Sequence, residues 1–221
     1  MMLCQMLYLL LTKDDGKPES VMAQMGYGMN AAVLSDLMLA GRIELTDEKR
    51  PRVLVLDEGP CTDPLLAAAL AKLAKKHGKR LESVVTISNL CDIRLVTDSL
   101  ASAGIVEYGE RGFFGLGKER AVVLKPELEA QIRASLRAAI HGEKEPELED
   151  VTLLSILQGL DLAPKVLAME LAPLNRKQAK ERIKYLAQNS PTGDAVGKAV
   201  AAMNTVLMTT VIMPGIAGGS V

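Results

Sequence analysis

The chain has 221 residues, 48% of them hydrophobic, and a formal net charge of −1. That is enough apolar material for one sizeable core over residues 1–221, and it leaves no global basic field to draw nucleic acid or an anionic bilayer, so any such attraction must come from a local patch. Cys4, Cys61 and Cys91 are odd in number and widely spaced, with only His77 and His141 to help them; they suggest neither a disulfide framework nor a zinc site, and the expectation is a cytoplasmic protein without metal or cofactor.

The N-terminal run MMLCQMLYLLL stops at Thr12 and Lys13 without a basic leader or a small-residue cleavage site, so it is too short to span a bilayer and does not read as a signal peptide. It predicts a buried helix over 2–12, ended by the turn KDDGKP (13–18), where Gly16 and Pro18 forbid continuation. Asn30 to Ala40 sets Val33, Leu34, Leu37 and Met38 on one helical face and is closed by Gly41. Ile43 and Leu45, a polar turn over 46–51, and Val53 to Leu56 then make a hairpin pattern. Leu65 to Lys76 is a strong helix whose basic end, Lys75, Lys76, Lys79 and Arg80, suits the helix dipole better than it suits a binding site.

The pattern then repeats. Asp92 to Ala103 is a helix closed by Gly104, and Ile105, Val106 and Tyr108 begin a strand that returns at Ala121 to Leu124, so that "SAGIVEY" answers "LAGRIEL". Pro126 opens a helix to Ile140, the acidic stretch HGEKEPELED is the one evident hinge, and three or four more helices follow. Among them Asn175 to Gln188 is amphipathic, whereas Gly197 to Met213 is nearly apolar all round and is expected to be buried or packed on a partner. The fold class expected is mainly α: a single helical domain with two short β-hairpins, one of them hydrophobic and protruding.

Between the strands of the second hairpin lies ERGFFGLGKER, Glu110 to Arg120, which holds the only two Phe residues of the chain. Gly112 to Lys118 matches G-x-x-x-x-G-K, the phosphate-cradling loop, up to its last letter. A working loop needs Ser or Thr next and a helix beyond, but Glu119 follows and AVVL reads as a strand, so nucleotide binding is not expected. Two readings of the apolar tip remain open. Phe113, Phe114 and Leu116 fold back onto the core, or they dock on a second protomer or a membrane with Arg111, Lys118 and Arg120 beside anionic headgroups.

Other classes fare worse. Two His residues, no Gly-x-Ser-x-Gly elbow and no paired carboxylates that the sequence places in a pocket argue against an enzyme, and nothing near Cys61 would activate its thiol convincingly. Helix, glycine and hairpin also suit a winged-helix nucleic-acid-binding regulator, but its recognition helix would offer Arg94 against Asp92 and Asp98.

The segments LYLLLTKDDGK, LSDLMLAGRIEL, GPCTDPLLAAALAKL, LASAGIVEYGERGFFGLGKERAVVLKPELEAQIRASL and RIKYLAQNSPTGDAVGKAVAAMN follow one another in an order that resembles the Golgi phosphoprotein 3 family, including its stand-alone bacterial members. The resemblance implies a helical domain with a protruding hydrophobic hairpin, peripheral at the membrane, binding phosphatidylinositol 4-phosphate and acting as an adaptor for membrane-protein clients, with self-association through the hairpin as a further expectation. It also implies a headgroup pocket built from a Trp and three Arg. Here Val21 stands near the Trp position, Asn30 at the first Arg, and Cys91 and Arg94 at the other two. The headgroup-binding residues expected are therefore Arg94, Asn30 and Cys91, with Arg94 the main contributor, charge-driven binding in place of tight recognition of one phosphate position, and no nucleic acid. Restoring Arg at 30 and 91 is expected to raise phosphoinositide preference if the pocket geometry is inherited.

Overall fold

The computed structural model describes residues 1–19, 22–109, 120–189 and 194–209. Its first helix, α1 (Leu3–Leu10), is apolar apart from Gln5, which bonds Ser99 at 2.9 Å, and its Leu7, Leu9 and Leu10 are fully buried, as suits a helix that lies inside a domain and not on its surface. α2 (Met22–Leu39) begins eight residues before the expected Asn30. Gly26 and Gly28 both lie inside the helix.

After α2 come β1 (Ile43–Leu45) and β2 (Val53–Val55), then α3 (Pro64–Ala74), capped by the Asp63 carboxylate on the Leu65 and Leu66 amides, and the short α4 (Leu81–Val85). α5 (Ile93–Ser102), β3 (Val106–Tyr108) and β4 (Ala121–Val123) follow. The strands form two separate antiparallel pairs. Ile43, Glu44 and Leu45 face Val55, Leu54 and Val53, while Val106, Glu107 and Tyr108 face Val123, Val122 and Ala121.

The sequence repeat is a structural repeat. Gly41 and Gly104 take φ of +66° and +64°, the left-handed conformation that ends a helix at least cost without a Cβ. The Arg42 amide returns to Leu37 O at 2.9 Å and the Ile105 amide to Leu100 O at 2.9 Å, closing each helix with the same motif. The carbonyls of Arg42 and Ile105 then accept from Leu56 and Leu124 at 2.9 and 2.8 Å, so both hairpins are fastened to their helices alike.

The C-terminal half comprises α6 (Pro126–His141), α7 (Leu148–Gly159), α8 (Ala163–Val166), α9 (Ala168–Leu171), α10 (Arg176–Gln188) and α11 (Asp194–Leu207). The acidic stretch expected as a hinge is pinned. Gly142 closes α6 at φ +74°, and buried Asp150 takes Ser135 Oγ and Lys144 Nζ, each at 2.7 Å, and the Glu147 amide at 3.0 Å. Every residue of α7 from Asp150 to Gly159 is buried; α1, α2, α6, α10 and α11 pack around it. The chain is thus mainly α, with eleven helices and two small sheets among the described residues. α11 turns Val200, Met203, Val206 and Leu207 inward and leaves Thr205 exposed, so its packing is one-sided; residues 210–213 of the apolar stretch lie outside the described residues.

Two glycines explain how close these helices come. A Cβ on Gly28 of α2 would stand 2.8 Å from Leu160 Cδ1, and one on Gly159 would stand 2.8 Å from Leu207 Cβ and 3.1 Å from Asn204 O of α11. Gly159→Ala is expected to destabilise the fold by about 1–3 kcal/mol in urea denaturation despite better helix propensity, because the overlap forces α11 away from α7. Gly26→Ala, with nothing within 4 Å of its Cβ, is the control and should gain up to about 1 kcal/mol. Equal effects from the two changes would show that packing does not decide at Gly159.

Candidate functional site

A cavity of about 690 Å³ opens where α1, α5, the 13–18 turn and the base of the second hairpin meet. Tyr8 and Thr12 stand one turn apart along α1 and its end, and with Met25, Thr97 and Ala121 they make the buried walls. Arg94, Tyr108 and Arg120 lie at the mouth. The turn is held there by backbone: the Val123 amide donates to Asp14 O at 3.1 Å, and Lys13 and Gly16 close on Lys17 O and Lys13 O, each at 2.8 Å. Gly16 is required in two ways. Its φ is +74°, and a Cβ would lie 2.8 Å from Ala121 O and 2.9 Å from Arg120 Cβ.

The mouth is polar and partly self-neutralised. Arg94 Nε is 3.9 Å from Asp98 Oδ1, and the guanidinium stacks 5.4 Å from the centroid of the Tyr108 ring. The Tyr108 hydroxyl bonds Asp98 and meets Thr97 Oγ1 at 2.8 Å. Burial first, and the Asp98 contact next, push the Tyr108 phenol above its ordinary value, so it stays protonated and donates. Asp15 pairs with Lys17, which holds its carboxyl below the usual range, and Arg120 adds a weaker pull in the same direction. Deeper in, burial raises the Tyr8 phenol while nearby Thr12 offsets part of that rise. Thr12 is itself only 3% exposed.

Of the three expected headgroup residues, Arg94 lines this cavity and the other two do not. Asn30 is 4% exposed and Cys91 3%. The Asn30 amide nitrogen donates to Val85 O and Ile87 O, both at 2.8 Å, and its oxygen accepts from the Cys91 amide at 2.9 Å. They bind each other. The Cys91 side chain in turn meets Cys4, whose thiol is pushed far above its ordinary value by that contact first, then by burial and by Asp36, which keeps the Cys4 thiol protonated. An Arg at 30 or 91 would place a guanidinium in this packed brace, so the substitutions expected to restore a pocket would break a structural joint instead.

Arg120 is exposed at the cavity mouth, beside the start of β4. Arg111, Phe113, Phe114, Leu116 and Lys118, and with them the phosphate-loop pattern of Gly112 to Lys118, lie outside the described residues. Sequence reasoning missed Tyr8, Thr12, Thr97 and Tyr108. The available signal was a pair of hydroxyls spaced one helical turn apart on an otherwise apolar run.

Among the described residues no helix is long and apolar enough to cross a membrane. No curated protein matches the chain. A family model described as Golgi phosphoprotein 3 (GPP34) matches residues 3–203, a span that includes the central helix α7, both hairpins and the cavity. On that match, the chain belongs to the Golgi phosphoprotein 3 (GPP34) family.

Proposed function

We propose that this protein is a non-enzymatic peripheral membrane domain that docks on anionic phospholipid surfaces and serves as an adaptor there. The observation that supports the reading is the cavity at the foot of the second hairpin, where Arg94 and Arg120, remote in sequence, share one mouth. The segment between β3 and β4 carries both Phe residues, Leu116 and the cations Arg111 and Lys118. Insertion of the apolar residues and attraction of the headgroups by the cations are complementary: each Phe withdrawn from water contributes roughly 1.5–3 kcal/mol, enough with Leu116 for reversible contact and too little for permanent anchoring. Clients are membrane proteins gathered at the same surface, and the same apolar tip is the means by which two copies would associate.

Liposome co-sedimentation tests the reading. Binding to anionic vesicles and not to neutral ones is expected, fading with salt because exposed charge is screened. The double change Phe113→Ser, Phe114→Ser should abolish vesicle binding with the melting temperature nearly unchanged. A large fall in thermal stability with binding intact would place those rings in a core and end the docking proposal. A gel shift on random DNA serves as control for the winged-helix alternative, and no shift is expected.

A further inference from the structure

We propose that the cleft between α7, α10 and α11 binds a compact oxyanion, a carboxylate or phosphate on a body that also bonds the buried side-chain amide of Gln158. The cleft shares no lining residue with the cavity at the foot of the second hairpin, so the inference goes beyond the membrane reading and stands independently of it.

The polar residues of α7 lead to this site. The helix is buried from Asp150 to Gly159. Asp150 holds Ser135 and Lys144, Thr152 Oγ1 donates to Leu148 O at 2.8 Å, and Ser155 Oγ is sealed from solvent without a partner. Gln158 is unlike all three. It is only 6% exposed, and its side-chain amide has no hydrogen-bond partner among the described residues. Yet neither its oxygen nor its nitrogen is a sealed atom, and the open space that Gln158 lines is the cleft. A primary amide carries two N–H donors and a carbonyl acceptor, and a buried one is ordinarily satisfied. Here the groups that would satisfy it must enter from outside the fold.

Charge supplies the second half. Lys180 and Lys184, both exposed, line the cleft from α10 one turn apart, about 5–6 Å between Cβ atoms. Neither has an ion pair among the described residues. Glu181, the one carboxylate of α10, does not line the cleft, and Arg182 is turned away to Ile140 O and Ala139 O. Past Asp150, which is committed to Lys144, α7 contributes no charge. The lining among the described residues therefore carries two cations and no carboxylate, the complement of an oxyanion. Asn204 adds a second amide, and Ala201 and Met208 give the cleft an apolar side. At about 280 Å³ the space lies just below the range of about 300–1,000 Å³ found for drug-sized ligands, which suits a molecule of a few carbons.

NMR of the full chain tests this through the side-chain amide signals of Gln158 and Asn204, titrated with glycerol 3-phosphate, malate and inorganic phosphate. At least one of the first two should move the signals saturably at millimolar concentration, and whichever does so names the oxyanion. Inorganic phosphate, which has no body to reach the amide, should bind about fivefold more weakly, the worth of about one net hydrogen bond. Gln158→Leu, followed at Asn204, should reduce binding of the larger probe to the level of inorganic phosphate and keep or raise the melting temperature, since it replaces an unmet amide with an apolar side chain. Lys180→Gln combined with Lys184→Gln should weaken every probe at least about tenfold and leave the melting temperature unchanged, because both side chains are exposed. Phosphatidic acid vesicles separate the sources: displacement of glycerol 3-phosphate supports a lipid-borne phosphate as well, and no displacement supports the free molecule alone. No saturable shift with any probe overturns the proposal, leaves the Gln158 amide to water and does not touch the membrane reading. Binding that survives the double lysine change overturns the charge assignment, and binding that is unaltered in Gln158→Leu overturns the role of the amide.

Discussion

Asn30→Ala should lower the stability of the domain by about 2–6 kcal/mol, a large part of the roughly 5–15 kcal/mol that holds a typical domain together. Truncation leaves the buried Cys91 amide without its acceptor at 2.9 Å and Val85 O without its donor at 2.8 Å, while Ile87 O keeps the Leu90 amide at 3.3 Å. Two orphaned groups at about 1–3 kcal/mol each set the range. The effect reaches beyond one side chain, because Asn30 ties α2 both to the end of α4 and to the residue that precedes the N-cap of α5. Asn30→Asp makes a sharper comparison. It keeps an acceptor for the Cys91 amide but turns a carboxylate oxygen toward two carbonyls, so it should be at least as damaging as alanine. Thermal denaturation of the three proteins reads this directly, and an Asn30→Asp variant as stable as the parent would mean that the Val85 and Ile87 contacts contribute nothing.

Asp36→Ala is the second large effect, expected at about 2–5 kcal/mol. Asp36, 6% exposed, sits in α2 yet caps α1 from outside, its two oxygens accepting from the Leu3 and Cys4 amides at 2.8 and 3.0 Å. Removing it leaves two first-turn N–H groups unpaired in the interior and deletes the negative charge that the N-terminus of α1 favours. The loss also depends on pH. Burial first raises the Asp36 carboxyl above its ordinary value, with the Cys4 and Leu3 contacts opposing. In the unfolded chain this group gives up its proton near pH ~4, before the folded protein does. Above that point the folded state holds more protons than the unfolded, so this group's contribution to stability falls as pH rises until the folded carboxyl has ionised too. The stability gap between parent and Asp36→Ala should therefore be widest below about pH 4 and narrow as pH rises. A gap that widened over the same interval would show that the amide contacts outweigh burial.

Much of the architecture was legible because punctuation and pattern agreed. Gly41 and Gly104 ended helices where apolar faces ran out, and alternation on either side of a polar or glycine-rich turn marked both hairpins. The sequence pattern starts this helix at Asn30 and so leaves out Gly28, where the missing side chain makes room for Leu160 inside the domain. The HGEKEPELED stretch reads as a hinge because its charges suit solvent, whereas Asp150 is buried with Lys144 and Ser135 as partners. At the site, Arg94 was legible from family resemblance and local charge. The meaning of Asn30 was not, since its partner Cys91 lies 61 residues away, and no local pattern encodes such a contact. Nor could Tyr8, Thr12, Tyr108 and Arg120 be assembled from sequence, because it is the 13–18 turn lying against β4 that gathers them.

The repeated helix-glycine-hairpin unit also makes its two connecting segments interchangeable in principle. Both copies are stitched to their helices by equivalent backbone bonds below the loops, and a loop above such a closed joint changes length or content at little cost to folding. One copy carries a polar turn over 46–51 and the other an apolar, glycine-rich segment over 109–120. Placing the polar 46–51 stretch between β3 and β4 would therefore show what residues 110–119 add while the joints beneath stay the same, so the chain carries its own control.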